Sequence, residues 1–350
     1  MFSFLRPYIF RLDPETAHNL AIKSLKFNFI PESFFSVPHE EILKTTLFGK
    51  EINNPIGLAA GFDKNAEVYN ETLKLGFGFV EIGTVTPKKQ FGNEKPRIFR
   101  LPKNEALINR LGFNNDGSEI IKKRIENNIP NGVLGINIGP NKNTINMIDD
   151  FAECAKTFFP LGDYVTINIS SPNTKNLRDF HQPTILKQLL STINKIREKS
   201  NFKKSFVVKI SPDLEEASIS EIINLILEYK IDGVILTNTT DRNRESLLDE
   251  EKKREEGGLS GRPLRDLSTN LIRRFYRDLK GKIPIIGVGG IDSGEAAFEK
   301  IAAGATALQL YTSMIYKGPG IIKDIKIQLI EILKKKGFKN ITDAVGSAQS

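Results

Sequence analysis

The sequence predicts an α/β chain, a (β/α)8 TIM barrel with an N-terminal two-helix extension. Eight short apolar runs alternate with amphipathic helical segments along most of the 350 residues. Polar side chains gather at the C-terminal ends of those runs, the end at which a barrel builds its sites. The first forty residues break this pattern, combining helical periodicity with 7 of the 23 phenylalanines, where even spacing would put about three.

Taken in order, Leu5, Tyr8, Ile9 and Leu12 recur at helical spacing. Asp13-Pro14 reads as an N-cap followed by proline in the first turn, and Ala17, Leu20, Ala21 and Leu25 stripe the helix that follows. Two readings of this helix pair stand side by side: cover for the main domain, or an apolar mouth lying in a membrane interface. No stretch reaches the ~18 consecutive apolar residues of a spanning helix, and the apolar core and small-residue cleavage site of a signal peptide are missing. Residues 45–52 read as a hairpin turning at Gly49-Lys50. The eight runs are 55–60, 79–85, 133–138, 164–170, 206–210, 234–238, 284–288 and 307–312. Most are continuously apolar, as parallel strands covered on both faces are. Helical stripes such as 185–196, 219–227, 271–279 and 321–333 lie between or after them. A doubly wound sheet competes, but does not usually need eight repeats. Connections 86–131 and 239–282 are far longer than a usual βα loop and are candidate walls or lids. The division expected is a helical extension over 1–40, a barrel over 41–338 and a polar, frayed tail over 339–350.

Composition narrows the function. Hydrophobic residues at 39% and charged residues at 26% exclude a disordered chain. A lone cysteine, Cys154, excludes a disulfide framework and an iron–sulfur cluster held within this chain, and its amphipathic stretch marks it as packing. The net charge of +8 is diffuse, and Glu250 to Glu256 (EEKKREE) nearly cancels itself, so no nucleic-acid partner is expected. His18, His39 and His181 lack ligand spacing; no metal is expected, and His39 and His181 read as surface residues.

The ends of the runs carry Lys64, Thr84, Asn137, Asn168, Ser170, Ser171, Asn173, Lys209, Asn238 and Thr239. Any one Asn could be a turn residue, but buried apolar strands do not otherwise collect amides and lysines on one side. Gly287-Val288-Gly289-Gly290-Ile291-Asp292 follows the seventh run and Gly318-Pro319-Gly320 the eighth, the usual phosphate corner of a barrel. These residues suggest a phosphorylated cofactor above an amide-rich pocket. A barrel aldolase using Lys64 or Lys209 as a Schiff-base nucleophile remains open, as does a non-catalytic protein of the membrane surface.

Several ordered motifs go further: Gly57-Leu58-Ala59-Ala60-Gly61-Phe62-Asp63-Lys64, Gly83-Thr84-Val85-Thr86-Pro87, Ile108-Asn109-Arg110-Leu111-Gly112-Phe113-Asn114, Asn168-Ile169-Ser170-Ser171-Pro172-Asn173-Thr174, Thr237-Asn238-Thr239-Thr240 and Gly257-Gly258-Leu259-Ser260-Gly261-Arg262-Pro263-Leu264. In these, and from the helix pair to about residue 335, the chain resembles the quinone-dependent, membrane-associated class of dihydroorotate dehydrogenases. The resemblance implies oxidation of dihydroorotate to orotate in pyrimidine biosynthesis, with one FMN per chain as hydride acceptor and quinone as final acceptor. It makes Ser171 the base, where the soluble class has cysteine, with Thr174 as proton outlet and Phe113 as its cover. The flavin would meet Ala60, Gly61, Phe62, Asp63, Lys64, Thr84, Asn137, Asn168, Lys209, Thr237, Gly261, Gly290, Tyr311 and Thr312. Substrate contacts would be Lys64, Asn109, Arg110, Leu111, Gly112, Phe113, Asn168, Asn173, Asn238 and Thr239. The helix pair would form a quinone tunnel with His18 and Arg100; a helix-surface role for His18 is the alternative. The implied setting is a monomer, peripheral on the cytoplasmic face of a bacterial cell membrane and touching its lipid.

Overall fold

The eight runs close on themselves. In the computed structural model, which describes residues 2–27, 32–35, 37–38, 40–199, 204–242 and 244–349, α1 (Phe2–Ile9) and α2 (Pro14–Lys26) precede a small hairpin, β1 (Thr45–Leu47) and β2 (Lys50–Ile52). The barrel strands are β3 (Ile56–Leu58), β4 (Phe79–Val85), β7 (Val133–Ile138), β8 (Tyr164–Asn168), β9 (Ser205–Ile210), β10 (Gly233–Leu236), β12 (Ile285–Val288) and β13 (Ala307–Leu310). All pair in parallel, and β13 returns to β3 (Leu308 opposite Ile56), which closes the barrel and removes the doubly wound alternative. Around it run α3 (Tyr69–Leu73), α4 (Ser118–Asn127), α5 (Met147–Phe158), α6 (Pro183–Lys199), α7 (Glu216–Glu228), α8 (Arg265–Leu279), α9 (Gly294–Ala302), α10 (Thr312–Lys317) and α11 (Ile321–Lys336). Several predicted runs overshoot their strands by two residues at the C-terminal end. There the backbone leaves the ladder, and the polar tips turn toward the barrel mouth.

The opposite end is plugged by aromatic rings, for which glycines make room. A Cβ on Gly57 would lie 2.4 Å from the Phe79 ring, and one on Gly233 would lie 2.6 Å from Phe48. Phe48 comes from the hairpin, whose turn is Phe48-Gly49 (φ 50° and 76°), one residue earlier than the sequence suggested. A phenylalanine tolerates this left-handed backbone because its ring packs beneath the barrel, 5.0 Å from Tyr164.

The two long connections pair with each other. β5 (Ile98–Leu101) and β6 (Ala106–Asn109) from the first join β11 (Gly258–Gly261) from the second in an antiparallel sheet beside the mouth. Both are therefore walls. Asp13 caps α2, its Oδ1 accepting from the N–H groups of Glu15 (3.1 Å) and Thr16 (3.0 Å). Cys154 is fully buried on α5.

Two expectations are corrected. The C-terminal residues do not fray: Ile341 and Ala344 are buried, and Gln349 Nε2 donates to the Ala303 carbonyl at 3.0 Å, because two apolar side chains in a polar segment suffice to dock it on α9. His181 is buried rather than on the surface, its imidazole bonded on both nitrogens. His39 lies outside the described residues.

Candidate active site

The strand tips open into a cavity of about 680 Å³, the size of a small-molecule site. Its floor is polar. Glu81, fully buried on β4, accepts from Asn137 Nδ2 (2.7 Å), Gln309 Nε2 (2.9 Å), the Tyr164 hydroxyl (3.0 Å) and Thr166 Oγ1 (3.2 Å). A carboxyl group ringed by donors decides which end of each amide faces it. Asn137 therefore turns its carbonyl to Thr84 Oγ1 (2.7 Å) and Asn168 Nδ2 (3.1 Å). Asn168 in turn accepts from Ser170 Oγ (2.9 Å) and Asn238 Nδ2 (3.3 Å), so one network runs from β4 to the tip of β10. Lys209 completes the floor, with burial drawing its pKa below the ordinary lysine value and the nearby Glu81 opposing that shift.

Ser171 lines the cavity just past β8, nearly buried, and its Oγ accepts from the Asn173 N–H at 3.2 Å. Asn173 Nδ2 reaches Asn109 Oδ1 on β6 at 3.4 Å, which links the serine loop to the wall sheet. Phe113 lies over the tips of β4 and β7, where a Cβ on Gly139 would stand 2.9 Å from its ring. Thr174 is buried beside this loop but does not line the cavity.

The upper half is apolar. Ala17, Leu20, Ala21 and Leu25, the stripe of α2, face the cavity with Phe62 and Met314. His18 stands among them, edge-on to Phe62 at 5.4 Å and 3.5 Å from the Tyr311 hydroxyl. Burial and the charge of Lys64 hold its pKa down to about 3, so the imidazole is neutral at physiological pH. Burial likewise lowers Lys64 itself to about 8. Arg100 Nη1 donates to the carbonyls of Phe10 (3.2 Å) and Leu12 (2.9 Å), fastening the α1–α2 corner to β5. Arg97 grips Glu15 of α2 with both arms of its fork, at 3.0 and 2.6 Å.

Just past the seventh strand Gly290 (φ 70°), and in the wall strand β11 Gly261 (φ 97°), leave no space for a side chain: a Cβ would lie 2.6 Å from Arg265 Cα or 2.4 Å from the Glu105 carbonyl. Four polar atoms on residues of the cavity wall, Glu71 Oε2, Asn114 Oδ1, Gln309 Oε1 and Ser313 Oγ, are buried without a hydrogen-bond partner among the described residues. Each orphan costs about 1–3 kcal/mol. Orphaned acceptors and hydroxyls, close backbone and a buried lysine fit a polar, phosphorylated cofactor.

The cavity gathers most residues singled out from the sequence: Ala60, Gly61, Phe62, Lys64, Thr84, Asn168, Lys209, Thr237, Gly261, Gly290, Tyr311 and Thr312, together with Asn109, Leu111, Gly112, Phe113, Ser171, Asn173, Asn238, Thr239, His18 and Arg100. Three of the implied flavin and substrate contacts stand off it. Asp63 is spent on the N–H groups of Glu67 and Val68, both at 2.8 Å. Asn137 lies beneath the floor. Arg110 turns outward to Glu255 (2.8 Å) and the Pro96 carbonyl (2.9 Å). Glu81 and Gln309 were missed, though each is visible as a polar residue inside an apolar run, FVEIGTV and ALQL.

Residues 42–333 match the family model for dihydroorotate dehydrogenase. A relative from Bradyrhizobium sp. (strain BTAi1 / ATCC BAA-1182), named dihydroorotate dehydrogenase (quinone), is 44% identical over 345 residues, 97% of this chain and 94% of the relative. One of the same name from Rhodopseudomonas palustris (strain TIE-1) is 43% identical over the same shares. The crystal structure of a DHODH from Eimeria tenella in complex with ferulenol superposes with a TM-score of 0.91 at 40% identity, covering 96% of both chains. In fold, in strand-tip motifs and along nearly its whole length, the chain belongs to the quinone-dependent dihydroorotate dehydrogenase family.

Proposed function

We propose that this chain oxidises dihydroorotate to orotate in pyrimidine biosynthesis, using FMN as hydride acceptor and a membrane quinone as final acceptor. Family membership carries the substrate and sets aside the aldolase and the non-catalytic binding protein. The observation that supports the rest is the division of one cavity into a polar floor and an apolar upper wall. FMN, when bound, supplies a two-electron acceptor open to both halves. Lys64, Thr84, Asn168 and Lys209 would hold its ring, and the backbone at Gly261, Gly290 and Thr312 its phosphate. Ala60, Gly61, Phe62, Thr237 and Tyr311 border it; Asp63 and Asn137 act from behind by holding that lining in place.

A planar diamide ring bearing a carboxylate asks for amide partners and a cation. Asn109, Asn173, Asn238 and Thr239 offer the first and Lys64 the second. Leu111, Gly112 and the backbone of Arg110 close the side, since the Arg110 guanidinium is engaged elsewhere. Ser171 removes the substrate proton. A hydroxyl is a weak base at its free pKa, so the reaction relies on its orientation, on the cations of the floor and on exclusion of water by Phe113. Thr174 is the proton outlet.

Quinone would enter between the apolar faces of α1 and α2, past His18 and Arg100. Phe4 (81% exposed), Tyr8 and Phe27 turn outward around that mouth and form an apolar rim suited to a lipid interface. No described helix is long and apolar enough to cross a membrane, so the attachment proposed is peripheral, on the cytoplasmic face. The purified protein is expected to be yellow, and anaerobic dihydroorotate to bleach it. A colourless protein that stays inactive after FMN is added would end this reading.

A further inference from the structure

Ser171 itself is held lightly, by one N–H within its own loop. The firmer hold is one residue earlier. Ser170 Oγ donates to Asn168 and accepts from Asn238 Nδ2 at 2.9 Å, and the Ser170 carbonyl accepts from Arg178 Nε at 3.2 Å. That carbonyl shares a rigid peptide plane with the nitrogen of Ser171.

Arg178 lies on the short turn Leu177–His181 after the serine loop, and its side chain points back. Its Nη2 donates to the Thr239 carbonyl at 3.0 Å. Its Nη1 stands 3.0 Å from both Asp213 Oδ2 and Asp241 Oδ2. Asp213 is itself tied down, accepting from the Thr240 hydroxyl and from the Asp241 N–H at 3.2 Å. The turn has a second anchor. His181 Nε2 accepts the Ser211 N–H at 3.2 Å, so its proton is on Nδ1 and is donated to the Arg178 carbonyl at 2.9 Å.

We propose that Arg178 is a positioning residue for Ser171: its guanidinium clasps the Ser170 and Thr239 carbonyls and so holds the serine in register with Asn238 and Thr239 across the pocket. The role rests on Ser171 being the base. Only a planar fork with several donors can hold two carbonyls and two carboxylates at once, which a lysine cannot do. Arg178 itself does not line the cavity.

The test uses the full-length flavoprotein and stopped-flow reading of each half-reaction. Arg178→Ala should slow flavin reduction by dihydroorotate about 10- to 100-fold, the scale of a misplaced reacting group. Reoxidation of pre-reduced enzyme by a short-chain benzoquinone should stay near the wild-type rate. In a Ser171→Ala background, adding Arg178→Ala should slow reduction no further, because a residue acting through another is not additive with it. Arg178→Lys, which keeps a cation beside the carboxylates, should fail to rescue; it carries the test if the alanine variant loses its flavin. Wild-type reduction in both Arg178 variants, full additivity with Ser171→Ala, or equal loss of both half-reactions would overturn the role. Wild-type reduction by Ser171→Ala alone would instead refute the base, and this role with it.

Discussion

Two side chains show how burial sets chemistry at the scale of a residue. Under the proposed function Ser171 is the base, a hydroxyl whose basicity would come from its setting, so its removal is expected to act on the chemical step. Ser171→Ala should keep its flavin and bind orotate while reducing FMN about 10²–10⁴-fold more slowly, the usual cost of losing a general base. Anaerobic stopped-flow with an orotate titration checks both halves, and a wild-type reduction rate would send the proton by another route. His181 is buried with Nε2 already accepting, and burial lowers its pKa from 6.5 to about 4. Between those values the unfolded chain binds more protons than the folded one, so stability falls as pH drops from 6.5 toward 4. His181→Gln can make the same two bonds without titrating. It should match wild type at pH 7 and recover about 2 kcal/mol of the loss near pH 4.5. Thermal melts at the two pH values decide it; unchanged acid sensitivity would assign the loss to other groups.

Elements in this chain are shaped as much by what glycine permits as by what side chains attract. β3, β7 and β10 each carry a glycine facing an aromatic ring in the barrel base: Gly57 against Phe79, Gly135 against Tyr164, and Gly233 against Phe48. Gly57 needs no special backbone, so alanine there fails through contact rather than strain. Gly57→Ala should cost about 1–3 kcal/mol, as overpacking does. Adding Phe79→Leu should return part of it, because the shorter side chain vacates the space. Denaturant melts of the single and double variants test this, and strict additivity would mean the two do not meet.

Across the whole molecule, the extension and the barrel line one cavity together, and under the proposed function each serves one half-reaction. α2 contributes apolar wall, and the polar floor belongs to the strand tips. Removal of residues 1–40 should therefore abolish quinone reduction and membrane binding while sparing flavin reduction by dihydroorotate. The deletion also uncovers barrel surface, at about 25 cal/mol per Å² of apolar area, and frees Arg97 from Glu15. Flavin content and circular dichroism must first show that the barrel survives. Equal quinone rates in truncated and full-length protein would make the helix pair packing alone.

What could be read along the chain was whatever repeats or is punctuated locally. The alternation of eight apolar runs, the Asp13-Pro14 cap, the stripe of α2 and the polar strand tips all depend on neighbours a few residues apart. Their consequences, a barrel with its site at the strand ends, could be stated before any coordinate was known. The family motifs extended this to the polar part of the cavity lining, although Asp63, Asn137, Ser170, Thr174 and the Arg110 side chain stand off it. Other features needed the folded chain. Nothing near Glu81 in sequence says that Gln309, 228 residues away, will donate to it. Nor does anything local say that 106–109 will pair with 258–261, that His181 will be buried between Ser211 and Arg178, or that the polar tail will dock through Ile341 and Ala344. Periodicity and capping are settled by interactions within a turn or two. A buried polar partner is settled by which distant strand closure brings within about 3 Å, and that distance exists only once the barrel has closed.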